Sequence, residues 1–309
     1  MKQIIVLLLI FTFSFSQKTK SISSVVGKTK VTKGFHNYYF KTSTNELYLE
    51  ISTFNEEFLY VNSLAAGLGS NDIGLDRGQL GSERVVKFMR YGNKVHLVQE
   101  NLYYRAITDN LAEKSSVKDA FASSTIAGFK IVAESKSKVL INLTDFLLRD
   151  SHGISAKLKR QKQGSFNVDK LRSALYAERT KNFPKNTEFE SILTFKGNAK
   201  GSQLKSVVPS NSEFTVRTHH SFIKLPDSNY KPRVNDPRSG FFGISYLDYS
   251  TPIHVDMKKS FIARHRLEKK DPTAKMSEAV DPIIYYLDPG TPEPIRSALL
   301  DGGIRHLKL

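Results

Sequence analysis

The residues best able to do chemistry in this 309-residue chain are eight histidines: His36, His96, His152, His219, His220, His254, His265 and His306. Two imidazoles four apart on one helical face, with a glutamate beside the first, would hold a zinc ion and take a proton from its bound water. None of the eight stands four residues from another, and none is followed by Glu. His219 and His220 are adjacent, so in a strand one points to the core and the other outward, and the two cannot easily share an ion. His254 and Asp256 would lie on one face of a strand. Two candidate ligands do not make a site, and His265 is too far along to be placed beside them.

Carboxylates offer a second chemistry. Glu190 and Glu213 fall on expected strands, and a pair of acids across a cleft can hydrolyse a glycosidic bond. Nothing in the spacing brings these two together. Gly67, Gly69 and Gly74 resemble a phosphate-binding glycine loop, but the third glycine is misplaced and no helical pattern follows directly, so a turn-rich loop is expected. No serine sits in a G-x-S-x-G elbow. Asp236 and Arg238 can form an ion pair that pins a proline-rich segment to the sheet. No catalytic, cofactor-binding or metal-ligating residue is assigned on these grounds.

The elements that would have to position such groups are mostly strands. Residues 46–52 alternate strictly, with Leu47, Leu49 and Ile51 on one face, the pattern of a half-buried strand. Residues 58–61 read as the next. Residues 84–91 and 94–100 are joined by Gly92-Asn93, a tight hairpin in which glycine accepts positive φ without steric cost. Residues 103–107 can add a strand, as can 128–133, 138–143, 188–195 and 213–218. Short helices are expected at 116–121 with a Ser116 cap, at 144–148 with a Thr144 cap, and around Leu171 and Leu175. From Leu225 onward proline and turn formers predict an extended segment wrapping over a surface. Residues 281–288 read as a buried strand, and Thr291 and Pro292 as the cap and first position of a helix that Gly302-Gly303 then breaks. The fold class is mainly β, with antiparallel sheets forming a sandwich or barrel-like core and a few short helices at its margins. The expected divisions are a small β region over 17–77, a main β-rich domain over 78–270, and a linker with a helix start over 271–309.

Residues 1–16 read as a secretory signal peptide: Lys2, a short apolar run, then Ser14-Phe15-Ser16 as a cleavage site. A secreted or periplasmic product beginning at Gln17 is expected. The chain has no Cys, which excludes disulfides and thiol chemistry. No later segment is long and apolar enough for a membrane-spanning helix. The formal charge is +16, which raises acidic glycans or envelope polymers as partners. The densest basic run, Lys157 to Lys162, lacks interleaved aromatics and reads as a solvated loop or short exposed helix, so nucleic acid is not expected.

Four stretches carry a resemblance: "GLGSNDIGLDRGQLGSERVV" within 64–86, "FPKNTEFESILTF" at 183–195, "HSFIKLPDSNYKPRVNDPRSGFF" at 220–242 and "PIIYYLDPGTPEPIRSALLDG" at 282–302. Together they resemble the non-catalytic N-terminal region of a family of secreted bacterial zinc-dependent metalloproteases with a metzincin-type catalytic domain. The resemblance implies that H-E-x-x-H and the zinc ion belong to a catalytic domain missing here. It implies that this chain departs from the family near Gly303, as a product truncated at the start of that domain. The expected role is support of folding, latency or substrate access for the catalytic domain, its expected partner. An exported basic binding module for acidic polymers and a β-rich hydrolase remain the alternatives.

Overall fold

The computed structural model describes residues 20–306, so the expected signal sequence lies outside the described residues. Within them, period-two alternation is realised as hydrogen-bonded strand. In chain order the strands are β1 (Val31–Thr32), β2 (Tyr38–Lys41), β3 (Glu46–Ile51), β4 (Glu57–Ala66), β5 (Leu80–Tyr91), β6 (Lys94–Gln99), β7 (Tyr104–Arg105), β8 (Ser124–Ser135), β9 (Lys138–Asn142), β10 (Gly164–Val168), β11 (Ala174–Leu175), β12 (Lys181–Asn182), β13 (Asn186–Ala199), β14 (Glu213–Lys224), β15 (Gly243–Asp248) and β16 (Lys258–Ile262). The helices are α1 (Ile22–Val26), α2 (Leu111–Ala120), α3 (Thr144–Leu147), α4 (Ile154–Arg160), α5 (Ser202–Val207) and α6 (Ile295–His306). The protein is mainly β.

A 13-stranded antiparallel sheet runs β1-β2-β3-β9-β8-β6-β5-β4-β14-β13-β10 and is nearly closed into a barrel. The outer edge of β13 is covered piecewise by β12, β11 and β10. The Gly92-Asn93 hairpin joins β5 to β6 with Tyr91 opposite Lys94 and Gly92 at φ 58°. Inward-facing residues of successive strands fill the core: Leu47, Leu49 and Ile51, then Phe58, Val86, Phe88, Val95 and Leu97, then Phe189, Leu193, Phe195 and Phe222, all buried. On the other side of β3, Tyr48 packs with Leu140, Ala133 and the α1 residues Ile22 and Val26. The β4–β5 loop is not a phosphate cradle. Its Leu68, Ile73 and Leu75 join the core, while the Lys157 amine and the Gln161 amide donate to the carbonyls of Gly74 and Ile73.

Side-chain amides bridge the gap that remains between β1–β2 and β11–β12. Asn182 Nδ2 donates to the carbonyls of Thr32 (2.9 Å) and His36 (2.8 Å), and its Oδ1 accepts from Thr187 Oγ1 (2.8 Å). Asn45 donates to the Leu175 carbonyl (3.0 Å) and accepts from the Leu175 amide (2.8 Å), so one side chain substitutes for a strand partner. The Phe35 amide donates to the Phe183 carbonyl at 2.8 Å, and the Tyr38 hydroxyl to the Thr180 carbonyl at 3.2 Å. Gly34 is needed here because a Cβ at that position would overlap the Asn182 amide.

Several local expectations are corrected. The helix expected from Ser116 starts at Leu111, where Asn110 Oδ1 accepts from the Ala112 amide at 3.0 Å. Thr144 is the first helical residue and not the cap, its hydroxyl accepting from the Leu47 amide instead. Leu171 and Leu175 do not share a helix: Asp169 caps a 3-10 turn that leaves Leu171 exposed, and Leu175 is buried in β11. The strands on either side of residue 77, β4 and β5, are paired in one sheet. By their contacts the residues fall into two compact units, Met1–Pro226 and Asp227–Leu309.

The second unit contains the β15–β16 hairpin, with Gly243 opposite Ile262 and Leu247 opposite Lys258, and α6. Residues 281–288 are irregular, with Ile284, Tyr285 and Tyr286 exposed, and do not form the buried strand expected. The helix α6 starts at Ile295, its first turn capped by the Glu293 carboxylate on the Ser297 amide (3.1 Å) and hydroxyl (2.6 Å), and it runs through Gly302-Gly303 to His306. Glycine costs only about 1 kcal/mol per helical position, which is not enough by itself to end a helix.

Two stability tests follow from the seam. Asn182→Asp keeps the acceptor for Thr187 but loses both donors, and should cost about 2–4 kcal/mol in urea unfolding. His36 is packed against Phe35, Phe58, Phe88 and Phe222, with centroids at 4.2–6.0 Å, and burial pushes its pKa down to about 4. Between pH 6.5 and about 4 the unfolded chain takes up a proton that the folded ring refuses, so stability falls as pH falls through that window. His36→Phe should shrink this acid-side loss by about 2–3 kcal/mol, read as the difference in unfolding free energy between the ends of the window.

Candidate functional site: a carboxylate–imidazole–guanidinium cluster on β13 and β14

Alternation sends every second residue of β13 and β14 away from the core. On β13 these are Glu188 and Glu190; on β14 they are Arg217, His219 and Ser221. Antiparallel register sets Glu190 opposite His219, Glu188 opposite Ser221 and Ile192 opposite Arg217. Cross-strand neighbours of this kind bring side chains to within about 5 Å, and five polar groups converge.

His219 is clamped through both ring nitrogens. Nε2 lies 2.7 Å from Glu188 Oε2 and Nδ1 lies 3.3 Å from Glu190 Oε2. The Ser221 hydroxyl donates to the same Glu188 oxygen at 2.5 Å, and the Asn186 amide donates to Glu188 Oε1 at 2.6 Å. Arg217 Nε stands 3.3 Å from Glu190 Oε1, an ionic contact without hydrogen-bond geometry, and its guanidinium lies 5.1 Å from the centre of the Tyr176 ring. Burial disfavours the charged imidazole, but the hydrogen bonds and charges of Glu188 and then Glu190 outweigh it and raise the His219 pKa. Burial likewise works against the Glu188 carboxylate. Hydrogen bonds from His219, Asn186 and Ser221 overcome that and hold its pKa below the usual range.

This arrangement favours an imidazolium held between two carboxylates. Both ring nitrogens are engaged, so neither offers a free lone pair to a metal, and Ser221 donates to a carboxylate instead of to a base that could activate it. Among the described residues, no group of three or more His, Asp or Glu could hold a metal ion.

The structure places the other candidates as follows. His220, one residue on, faces the core: its Nδ1 is 2.9 Å from the Tyr60 hydroxyl, and burial, then the charges of His219 and Arg149, push its pKa down to about 3. Glu213 pairs with Lys196, well along the ribbon from Glu190, so these two acids do not face one cleft. The second carboxylate near Glu190 is Glu188, two residues away on the same strand face, and that spacing was visible in the sequence. His254 and Asp256 lie outside any strand, the Asp256 carboxylate accepting from the Lys258 amide, and His265 is also in irregular chain. Arg238 pairs with Asp236 at 2.6 Å on the surface; this is a local turn contact and not a clamp onto the sheet.

An antiparallel β-barrel whose charged cluster is internally neutralised defines a β-barrel module with its polar groups committed to one another. The chain belongs to the family described as Domain of unknown function (DUF5117), which it matches over residues 78–270, and residues 19–67 match a second, Domain of unknown function (DUF5118). No curated protein and no solved structure matches the chain.

His219→Gln removes the cation between the two acids. The folded pKa of His219 lies above its unfolded value, so its contribution is complete below pH 6.5 and fades as pH rises through the folded pKa. Glu188 contributes in the opposite sense, present above pH 4.5 and lost as pH falls through its lowered folded value. The substitution should cost about 1–3 kcal/mol between those limits and flatten the alkaline fall in stability, measured by urea unfolding over a pH series.

Proposed function

We propose that this chain is the non-catalytic N-terminal part of a secreted zinc-dependent metalloprotease-like protein, and that its C-terminal unit is a docking surface for a zinc-peptidase catalytic domain. The observation that carries the reading is the distribution of apolar surface. Among the described large apolar side chains of Asp227–Leu309, only Ile262 is buried, whereas Phe241, Phe242, Ile244, Tyr285, Tyr286 and Leu299 are among many left exposed. Clustered exposed apolar groups mark interaction surfaces. Ile295 and Leu299 lie four apart on α6, the spacing of one helical face.

The catalytic domain is the partner that the four-segment resemblance implies. Zinc chemistry would reside on that domain, and the barrel would support its folding, latency or substrate access. The +16 charge favours a second reading, an exported binding module for acidic glycans or envelope polymers. Retention on an anionic polysaccharide that disappears with added salt, with no binding to the peptidase domain, would favour this reading over the first.

Two measurements test the first reading. The purified chain with added zinc should leave casein intact; chelator-sensitive cleavage would overturn it. Titrated against a separately expressed catalytic domain of the resembled family, the chain should bind, and the double substitution Tyr285→Asp, Tyr286→Asp should weaken binding at least tenfold, about 1.4 kcal/mol. Equal affinity of the double variant would remove that segment from the interface.

A further inference from the structure

Two open cavities adjoin where β2 ends. The first, about 670 Å³, lies between the C-terminal end of α1, the link to β1 and the β2–β3 turn, and its wall includes Lys28, Lys30 and Lys41. The second, about 430 Å³, lies at the barrel seam and extends from Tyr38 and Phe40 to Lys181 and Phe183. Phe40 and Thr42 line both. The volumes fall within the range of about 300–1,000 Å³ typical of small-ligand sites. The walls are tied in place. Ile22 and Val26 pack α1 with Tyr48, and hydrogen bonds from Asn182 to the Thr32 carbonyl (2.9 Å) and from Tyr38 to the Thr180 carbonyl (3.2 Å) join the two sides of the seam.

No Asp or Glu lines either cavity. Among the described residues, none of the amines of Lys28, Lys30, Lys41 and Lys181 is committed to an ion pair or hydrogen bond. Lys41 Nζ stands 5.9 Å from the centre of the Tyr48 ring. Glu46, its partner across β2–β3, turns elsewhere and accepts from the Thr44 hydroxyl (2.8 Å), the Tyr48 hydroxyl (3.2 Å) and the Asn142 amide (3.3 Å). A concave wall carrying one sign of charge focuses its field and draws in ions of the other sign. The hydroxyls of Thr29, Thr42 and Ser43 on this wall are also uncommitted among the described residues. Each can donate and accept, as a sugar hydroxyl does. Phe183 is the one exposed ring among the lining residues. One ring can cover the apolar face of a sugar, but it is too few for the row of stacked bases that a single-stranded nucleic acid uses.

We infer that the two cavities form one groove for an anionic oligosaccharide, a short chain of uronate or sulfated sugars. Lys28, Lys30 and Lys41 pair with its acidic groups, the free hydroxyls bond to its hydroxyls, and a neighbouring sugar lies against Phe183. Two adjoining cavities suit a chain better than a single small anion. The inference rests on the second reading above, binding of acidic glycans, and gives that reading a location; it does not depend on the peptidase reading, since the groove lies within Met1–Pro226.

The test is fluorescence anisotropy of labelled probes titrated with the full mature chain: a galacturonate hexamer, a sulfated oligosaccharide, neutral maltohexaose and a single-stranded oligonucleotide. One or both acidic sugars should bind, weakening with added salt, and maltohexaose should not; the tighter of the two identifies carboxylate or sulfate as the acidic group. The double substitution Lys28→Gln, Lys41→Gln should weaken binding about tenfold or more. Lys159→Gln, Arg160→Gln removes the same charge from exposed positions on α4 and should change affinity less than about twofold. Phe183→Ala should weaken it about threefold or more. Thermal midpoints equal to the parent's verify the fold of each variant. Full affinity retained in Lys28→Gln, Lys41→Gln, an equal loss in both double variants, no loss in Phe183→Ala, or oligonucleotide binding as tight as the sugars' would overturn the groove and leave acidic-glycan binding elsewhere on the chain open. Absence of binding to both acidic sugars would overturn the groove and the second reading together.

Discussion

The barrel depends on how a sheet with two free edges satisfies the hydrogen-bonding groups along them. An exposed strand edge presents unpaired N–H and C=O groups and invites pairing with another chain. Here β1 has only two residues and β13 carries its outer partners as three short pieces, so no continuous ladder joins them. Two asparagines do that work. Asn182 donates to two carbonyls of the β1–β2 segment, and Asn45 reproduces both halves of a ladder bond with Leu175. The enclosed core follows from this seam, since Phe35, His36 and Tyr38 are carried on its one lip and Phe189 behind its other, with Tyr38 and Phe189 in edge contact at 5.7 Å.

The same alternation that fills the core also sorts the adjacent histidines. His220 is driven into a site where burial forbids the proton, and His219 is turned outward to a site where two carboxylates demand it. Neither state comes from the residue type; each follows from one step of register. A slip of one residue would exchange the two environments, placing a cation in the aromatic interior and a neutral ring between two acids. The charged cluster therefore helps specify register on the β13–β14 ribbon, which pairs over most of the length of both strands.

Much of the barrel was legible because its signal is local. The alternation of Leu47, Leu49 and Ile51, the Gly92-Asn93 turn and the opposite faces of His219 and His220 each follow from a few neighbouring residues. The seam was not legible: Asn182 and Thr32 are joined across most of the sheet, and an asparagine in a turn-rich stretch reads as loop chemistry. Leu171 and Leu175 show the limit of spacing arguments, since a four-residue interval is helical only if the backbone between them is helical. Glu188, Arg217 and Ser221 were readable in principle, being at two-residue intervals from Glu190 and His219, but polar residues on an outward face carry no apolar periodicity to draw attention to them.

The error over residues 281–288 is of a different kind, because an apolar run between turn signals specifies burial without specifying against what. Ile284, Tyr285 and Tyr286 are exposed in a unit whose buried apolar side chains, among the described residues, reduce to Ile262. A segment stabilises its own fold only by removing such surface from water, at about 25 cal/mol for each Å², and this one leaves most of that free energy unrealised. The hairpin β15–β16, the Arg266 fork between Asp227 (2.6 Å) and Glu268 (2.9 Å), and the capped start of α6 give Asp227–Leu309 local order through hydrogen bonds and exposed ion pairs, which are individually weak in water. Local order is thus kept with much apolar surface left exposed, in contrast to the barrel, where the same residue types fill the interior.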